Sequence, residues 1–441
     1  MTSPETDSNQ ARSSEIQSDA ANVADGDSTE KHNVLTLVVH QVCFRTAWIF
    51  KTESVIMPAF LDTISDSGWV RGMLPPLNRF GQSLAPLLLS ERLSRTTRKS
   101  DWLFRSTFLM GLPFLLVGAL LLISNQPTTM LVVVFLLSYS LFFCVNGVTP
   151  AAYNTIQGKL IRPQRRGRLV AIAGFVGSPV AVTMAWLLLR PWTRQQPPAF
   201  AYIFLFTGAV FLIASFAVLR VKEFPDPVKT HRALSLRNRL REARTHLKDD
   251  RNLRMLCGLA ALFVCSQLLF PHYQRLGQGI HGFEGQLLMV WVIVQNLSAA
   301  VFSWAAGRLA DSKGTRAALR WLTFFAMFAP VGALLIREYA SASWFSVAYV
   351  LLGAVPVTYR MFLNYALELT DRKWHPIYVS TVVICMAPPI VFSPLVGELV
   401  DQMDYTLPFL AISILLVAAW LMTLSIVEPR ELATPAKAQT S

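Results

Sequence analysis

The fold is decided by residues 285–316, which read GQLLMVWVIVQNLSAAVFSWAAGRLADSKGTR. Residues 285–307 contain no charged side chain, and a helix of about 20 such residues crosses the hydrocarbon core of a bilayer. The polar turn at 308–316 follows immediately and carries one acid among several bases. This pattern predicts a transmembrane helix that ends at a charged membrane edge.

The composition extends this prediction to the whole chain. Of its 441 residues, 53% are hydrophobic and 15% are charged, whereas about 25% of the residues in an ordinary soluble domain are charged. A soluble protein of this size would lack the charges to cover its surface. Disordered, collagen-like and disulfide-stapled classes are also excluded for the chain as a whole, so an all-α polytopic membrane protein is predicted.

Twelve apolar runs are predicted to span the membrane. They lie at 34–60, 68–90, 102–123, 129–153, 168–190, 199–220, 253–274, 285–307, 317–337, 342–368, 376–399 and 405–427. The first two are the most polar. Because an even number of spans returns the chain to its starting side, both termini are predicted on one side of the membrane.

The basic residues give the orientation, since Lys and Arg collect in cytoplasmic connections. The connections at 91–101, 157–168, 220–254, 308–320 and 368–375 hold 26 Lys and Arg, against five in the opposite connections. We therefore expect cytoplasmic termini and a multi-pass protein of a prokaryotic inner (plasma) membrane. The net charge of +13 is explained by these connections, and no nucleic-acid partner is predicted.

The predicted organisation has five parts. Residues 1–33 form an acidic cytoplasmic tail whose composition predicts disorder. Residues 34–220 and 253–427 form two six-helix halves, joined by a basic cytoplasmic linker at 221–252 and followed by a cytoplasmic tail at 428–441. The linker is either a solvated helix on the membrane surface or a contact for anionic lipids.

The two halves echo each other in sequence. Three pairs recur at a spacing of 210 to 220 residues: Asn154 with Asn364, Pro179 with Pro389, and Glu91 with Asp311. Parallel repeats related by an axis along the membrane normal are a known transporter architecture. Together with the central linker, the pairs favour a duplicated six-span unit.

The turn at 307–316 resembles the loop motif of the major facilitator superfamily, with a glycine, an acid four residues later, and a basic turn that contains glycine. Residues 150–168 look like that family's link from span 4 to span 5. In the first half, Glu91-Arg92 stands where the acid and base of the same motif belong, without its glycines. The resemblance covers residues 34–428 and implies two halves that rock around a central cavity.

The resemblance also implies gating residues, namely Gly307, Asp311 and Arg316, with Glu91 in the degenerate first copy. A carboxylate at the membrane edge can accept hydrogen bonds from the N-terminus of a neighbouring helix, where the dipole is positive. It can also pair with loop arginines, and such contacts would hold the cytoplasmic side closed. The alternative is a turn with a solvated charge.

Polar side chains within the spans predict the position of the cavity, because charges inside a bilayer usually face the bundle interior. In the family, spans 1, 4, 7 and 10 line the cavity. The predicted substrate-binding residues are Gln41, Arg45, Arg79, Asn146, Gln267, Arg360 and Asn364.

Three of these residues, Arg45, Arg79 and Arg360, are predicted at one depth. At about 1.5 Å per residue each lies roughly 16–18 Å from the cytoplasmic edge, near the middle of a ~30 Å core. Three guanidiniums at one level repel each other, and Arg binds carboxylate or phosphate well. An anionic solute is the simplest partner. The alternative is that the arginines hold backbone carbonyls or reach Glu53.

Glu53 is the predicted proton carrier, because a carboxylate shielded from water takes up a proton more readily. Its alternative role is an ion pair with Lys51 or Arg79. No phosphate-binding P-loop is present in the sequence, so direct use of ATP is not expected. The five cysteines have no spacing typical of a metal site, and neither a metal nor a cofactor is predicted.

The predicted function is a monomeric secondary transporter of a small anionic solute by alternating access, coupled to a proton or another ion, and not an enzyme. Two alternatives stay open. One is a transporter-like fold that serves as a sensor or scaffold. The other is a polytopic membrane transferase, although the sequence shows no acid pair or His–Asp set near a membrane face.

Overall fold

The computed structural model describes residues 5–83, 96–123, 129–195, 199–225 and 236–430, with side chains from Asp27 onward and outside 236–240. Within these ranges the regular secondary structure is helical. In the described part of the chain, ten helical stretches are long and apolar enough to cross a membrane.

Eight helices are described in the first half. They are α1 (Glu5–Phe50), α2 (Ile56–Ile64), α3 (Gly68–Gly72), α4 (74–83), α5 (Lys99–Ile123), α6 (Thr129–Leu160), α7 (Pro163–Arg194) and α8 (Phe200–Val218). Within this half α5 packs against α6 and α8, and α1 packs against α7 and α8.

A linker helix and the second half follow. They comprise α9 (Leu236–Asp249), α10 (Arg251–Val264), α11 (Phe270–Gln278), α12 (Gln286–Lys313), α13 (Thr315–Tyr339), α14 (Ser346–Leu352), α15 (Ala354–Glu368), α16 (His375–Ile390), α17 (Ser393–Met403) and α18 (Thr406–Met422). Short 3-10 turns at Cys265–Leu269 and Ala342–Phe345 join α10 to α11 and lead into α14. α13 packs against α18 and α15, and α10 packs against α16.

The predicted spans can be compared with these helices one by one. Ten of them coincide with the ten membrane-length stretches, and the last coincides with the shorter apolar helix Thr406–Met422. The second predicted span begins in α3 and α4, and its residues 84–90 lie outside the described residues. The count of twelve membrane crossings stays a prediction.

Both predicted tails are shorter than the sequence indicates. Glu30, assigned to the disordered tail at 1–33, is buried and accepts a hydrogen bond from the Arg162 backbone N–H at 2.9 Å. Glu428, assigned to the C-terminal tail, is also buried and accepts one from the Arg316 backbone N–H at 3.1 Å. Each carboxylate caps a helix start, where the dipole favours negative charge, and this anchors chain that composition alone assigns to a tail.

The bundle has two ends, named here by their contents. The linker end holds the start of α1, α9 and the turn between α12 and α13. The distal end holds α2, α3, α11 and α17. Between the halves, α3 packs against α17 and α2 packs against α11 at the distal end, while α7 packs along α12.

Candidate functional site

A cavity of about 240 Å³ lies where α1 ends, with residues of both halves in its wall. Its polar lining residues are Lys51, Thr52, Glu53, Ser54, Asn78, Gln267, Gln295 and Asn296, and its aromatic ones are Trp48, Tyr139 and Phe270. These residues come from predicted spans 1, 2, 4, 7 and 8, and Pro356 of span 10 completes the wall. The cavity is therefore polar on one part of its surface and aromatic on another.

A break in the first span places Glu53 at this cavity. α1 ends at Phe50, and residues 51–55 form a turn in which the Lys51 backbone N–H donates to the Trp48 carbonyl at 3.3 Å. Irregular backbone is tolerated at membrane depth where it lines a cavity. The sequence predicts one uninterrupted span at 34–60, and the structure instead shows a discontinuous helix whose break carries the polar groups.

Lys51 and Glu53 form an ion pair across this turn, with 2.7 Å between Nζ and Oε1. The lysine is sealed away, because 1% of its side chain is exposed and its ammonium lies 3.3 Å from the centre of the Trp48 ring. The Glu53 side chain is 23% exposed, and its second oxygen accepts a hydrogen bond from Asn78. The carboxylate of the pair therefore faces the cavity and the ammonium lies behind it.

Arg79 joins the two halves beside the cavity. Its Nη2 donates to Gln267 Oε1 at 3.1 Å, and its guanidinium lies 4.8 Å from the centre of the Tyr359 ring. Arg79 is buried. Its charge is thus held by two uncharged groups of the other half, a hydrogen-bond acceptor and an aromatic face.

Arg45 and Arg360 lie one helical turn from the cavity lining, toward the linker end, on opposite halves, and we call this position the mouth of the cavity. Arg45 precedes the lining residue Trp48 by one turn of α1, and Arg360 follows the lining residue Pro356 by one turn of α15. Both are exposed, and their charges are close enough to repel each other. Arg45 donates to Ser178 Oγ at 3.4 Å and Arg360 donates to the Pro356 carbonyl at 3.4 Å. Within the described chain neither forms an ion pair.

Of the seven predicted binding residues, Gln267 is in the cavity lining and the three arginines lie beside it, whereas the remaining three lie elsewhere. Gln41 is partly buried near the Tyr153 hydroxyl, and Asn146 is buried within α6. Asn364 is exposed one turn beyond Arg360, toward the linker end. The structure therefore brings Arg45, Arg79, Gln267 and Arg360 to the cavity or its mouth, but not these three.

Charged residues close the distal end between the halves. Arg71 is fully buried and pairs with Asp62 of its own half and with Asp401 of the other half, each at 2.8 Å. Arg275 of the second half reaches Asp62 at 3.3 Å. Asp401 also accepts a hydrogen bond from the Gly68 backbone N–H. We call these five residues the distal lock.

Asp62 is the most buried acid of the distal lock, with 7% of its side chain exposed. Burial raises the pKa of this carboxyl to about 6, because desolvation of the charged form outweighs the attraction of Arg71 and Arg275. Its Oδ2 atom is buried and has no hydrogen-bond partner among the described residues. The lock therefore contains an acid that titrates near neutral pH.

Backbone contact reinforces the distal lock. A Cβ atom on Gly68 would overlap the Gly397 carbonyl oxygen, and one on Gly397 would overlap that of Gly68. Small residues let membrane helices approach this closely. Separation of α3 from α17 would therefore break a tight backbone interface as well as the ion pairs.

Three of the four predicted gating residues are described, and they lie at the linker end. Nothing lies within 4 Å of the position that a Cβ on Gly307 would occupy, and Asp311 is exposed. Arg316 is engaged within its own half, where its backbone N–H caps onto Glu428. Glu91 lies outside the described residues.

The sequence reasoning did not identify the distal lock. Arg71 and Arg275 entered it only as two of the five basic residues in the predicted non-cytoplasmic connections. The available signal was the pair of acids Asp62 and Asp66 close to Arg71, in a short connection between two predicted spans. The partner across the halves, Asp401, lies 330 positions from Arg71, so no local pattern indicates it.

Comparison with known proteins agrees with this architecture. The chain superposes on a crystal structure of the nucleoside transporter NupG with a TM-score of 0.65 and 12% identity, over 90% of this chain and 99% of that one. For an auto-inhibited peptide transporter of the POT family, the TM-score is 0.63 with 11% identity, over 89% and 96% of the two chains. A bacterial homolog of the human lysosomal transporter Spinster, inward-facing and occupied, gives 0.60 with 12% identity, over 89% and 96%.

At these identities the structural likeness shows the fold alone. A search of curated proteins finds no significant match. The family model of the Major Facilitator Superfamily matches residues 80–373, which is well over half of the chain. The match includes the turn at 307–316, the cavity residue Gln267 and the mouth residue Arg360. The chain therefore belongs to the major facilitator superfamily, whose fold is that of a multi-pass membrane transporter.

Proposed function

We propose that this protein is a secondary active transporter of a small anionic solute that works by rocker-switch alternating access. The observation that carries the proposal is the pair Arg45 and Arg360 at the cavity mouth. Two guanidiniums from opposite halves lie close enough to repel each other, with hydroxyl and carbonyl partners instead of acids. A carboxylate or phosphate group between them would relieve their repulsion and could bind both in a bidentate manner.

The distribution of contacts supports alternating access. Ion pairs and backbone contact join the halves at the distal end, whereas Arg45 and Arg360 are exposed toward the linker end. This is the arrangement expected of a transporter open on one side and closed on the other. In the opposite state the distal lock would separate, and Asp311 with Gly307, Arg316 and Glu91 would close the linker end against the other half.

The proposed topology has twelve spans with the linker end in the cytoplasm. It divides the chain into the halves 34–220 and 253–427, joined by the linker at 221–252. The basic residues at the linker end, such as Arg162 and Arg165, follow the positive-inside rule. We propose a monomer in a prokaryotic inner membrane.

Glu53 is the proposed proton carrier. Its carboxylate is the ionisable group of the buried pair that faces the cavity, and Lys51 balances its charge from behind. A proton on Glu53 would leave Lys51 unpaired in a sealed aromatic pocket, so protonation and a change of conformation are expected to be linked.

The test is solute binding and uptake by the purified, reconstituted protein. A screen of organic acids and phosphate esters by thermal shift identifies a ligand, because a ligand that binds only the native state raises the melting temperature. Arg45→Gln and Arg360→Gln should each weaken its binding at least tenfold. The matched control is Arg372→Gln, which removes an exposed arginine of the loop after α15 and should change binding less than twofold.

Binding of a cationic or uncharged solute that survives both mouth variants would refute the anion site. A reconstituted protein that moves no solute but alters the activity of a partner would instead favour the sensor or scaffold.

A further inference from the structure

The two ends of the cavity differ in charge. The mouth presents the guanidiniums of Arg45 and Arg360, both exposed. At the blind end, beside Glu53, the negative partner of the ion pair is the more exposed one. The Glu53 side chain is 23% exposed, whereas the Lys51 side chain is 1% exposed. A solute that fills the cavity therefore meets positive charge first and a carboxylate at the end.

The hydrogen bonds at the blind end show what that carboxylate can still accept. An ionised carboxylate has about four acceptor positions. Lys51 occupies one on Oε1 and Asn78 occupies one on Oε2, and the Tyr139 hydroxyl also lies beside the carboxylate. At least one position is therefore left for a donor group of a ligand.

The neighbouring amides are partly engaged as well. The Gln267 side-chain oxygen accepts from Arg79 at 3.1 Å, and that of Gln295 accepts from Ser54 at 2.5 Å. What these amides offer a ligand is thus their N–H groups. Together with Glu53 they form a wall that receives a donor group and can donate to it in return.

Resting on the proposed anion site, we propose that the solute is bifunctional. It carries an acidic group that lies between Arg45 and Arg360 and, at its other end, an O–H or N–H donor head that Glu53 receives. Arg45 lies five residues before the end of α1, or about 8 Å along the helix axis. This is of the order of a six-carbon chain, so the solute class is a small hydroxy acid or amino acid whose two groups stand well apart.

The probes are four compounds with the same six-carbon chain: hexanoate, 6-hydroxyhexanoate, 6-aminohexanoate and hexylamine. Dissociation constants are measured on the purified full chain by thermal shift and calorimetry. Each headed acid that matches the site should bind about tenfold tighter than hexanoate, because a hydrogen bond to a charged group is worth at least one decade. If the natural head is an ammonium, the amino acid binds best, and if it is a hydroxyl, the hydroxy acid does.

The decisive variant is Glu53→Gln. It should lower the affinity ratio between the better headed acid and hexanoate from about tenfold to less than about threefold, and a cooperative melting transition shows separately that the variant is folded. The matched control is Glu338→Gln, an exposed glutamate at the end of α13, which should preserve the full advantage.

Equal affinity for hexanoate and both headed acids in the wild type would overturn the inference while leaving the anion site intact. An advantage that persists in full in Glu53→Gln would also overturn it. Binding of hexylamine with none of the three acids would instead refute the anion site itself, together with everything that rests on it.

Discussion

The distal lock gives the sharpest mechanical prediction. Replacing Asp401 by Asn removes the charge that joins the halves, because Asp401 pairs with the fully buried Arg71 at 2.8 Å and accepts from the Gly68 backbone N–H. The arginine keeps its second partner, Asp62, within its own half. The substitution therefore weakens the contact between the halves while the first half retains its internal ion pair.

The size of the effect follows from burial. Breaking a buried ion pair by removing one partner costs about 3–5 kcal/mol, but 33% of the Asp401 side chain is exposed, which screens the pair. A loss of about 1.5–3 kcal/mol, the range for a hydrogen bond to a charged group, is the better estimate. At about 1.4 kcal/mol per decade, Asp401→Asn should shift the equilibrium toward the distal-open state by roughly 10- to 100-fold.

The assay is a distance distribution between spin labels on α3 and α17. Trp69 and Leu399 are exposed there, and cysteines at these two positions in a background without the five native ones provide the labels. In Asp401→Asn, the longer-distance population should grow at the expense of the shorter one.

The matched control is Asp404→Asn. Asp404 pairs with Arg337 at 2.9 Å at the same end of the molecule, but both residues belong to the second half. Its loss should leave the distance distribution unchanged. An unchanged distribution in Asp401→Asn, or an equal shift in both variants, would refute the lock.

Further tests address protonation, gating, coupling and stability. In the distal-closed state the pKa of Asp62 is about 6, above the usual value of about 3.9, so the closed state binds the proton more tightly than a state with the usual pKa. Acidification from pH 7 to 5 should therefore favour the distal-closed spin-label distance. Asp62→Asn should abolish this pH dependence. Asp311→Asn should reduce uptake at normal expression, and uptake equal to wild type would remove its gating role. Glu53→Gln should lose proton-driven accumulation, and retained accumulation would exclude Glu53 as the essential carrier. Gly314→Ala should lower the melting temperature more than Gly282→Ala, since both have positive φ but only a Cβ on Gly314 would overlap the Glu428 carboxylate.

The sequence was sufficient for the helices because a membrane span is a local property. Hydropathy averages over about 20 residues, and it located the ten long helical stretches. The same averaging hid the break at 51–55, where the apolar residues that follow Glu53 make the run look continuous. Side-chain contacts that bury the acids Glu30 and Glu428 likewise could not be read from polar tail composition.

The cavity was partly predictable for the same reason. A charge inside an apolar run faces the protein interior, and this reasoning selected Arg45, Arg79, Arg360 and Glu53. The same reasoning also selected Asn146, which is buried but does not line the cavity. Periodicity predicts which face of a helix a residue lies on, but not which helix packs against that face. The exposure of Glu53 ahead of Lys51 depends on the turn after α1, which no periodic pattern specifies.

Four carboxylates at the linker end join helices within each half. In the first half, Glu30 caps α7 through the Arg162 N–H, and Glu223 caps α5 through the Ser100 N–H at 2.7 Å. In the second half, Asp250 accepts from the Tyr378 hydroxyl of α16 at 2.7 Å, and Glu428 caps α13.

Burial alone would raise the pKa of Glu223, but the hydrogen bonds from Lys159 and Ser100 more than offset it and hold this pKa below its usual range. The carboxylate therefore stays charged, and its cap stays formed, at neutral pH. Each of the four carboxylates binds within its own half, so a rocking motion need not break any of them. In the proposed rocking motion, the contacts that would change are those between the halves, among them the distal lock and the Arg79–Gln267 hydrogen bond. The Arg316 backbone N–H donates to Glu428 and its guanidinium donates to the Ile426 carbonyl, both within the second half, so we expect the exposed Asp311, rather than Arg316, to reach the opposite half when the linker end closes.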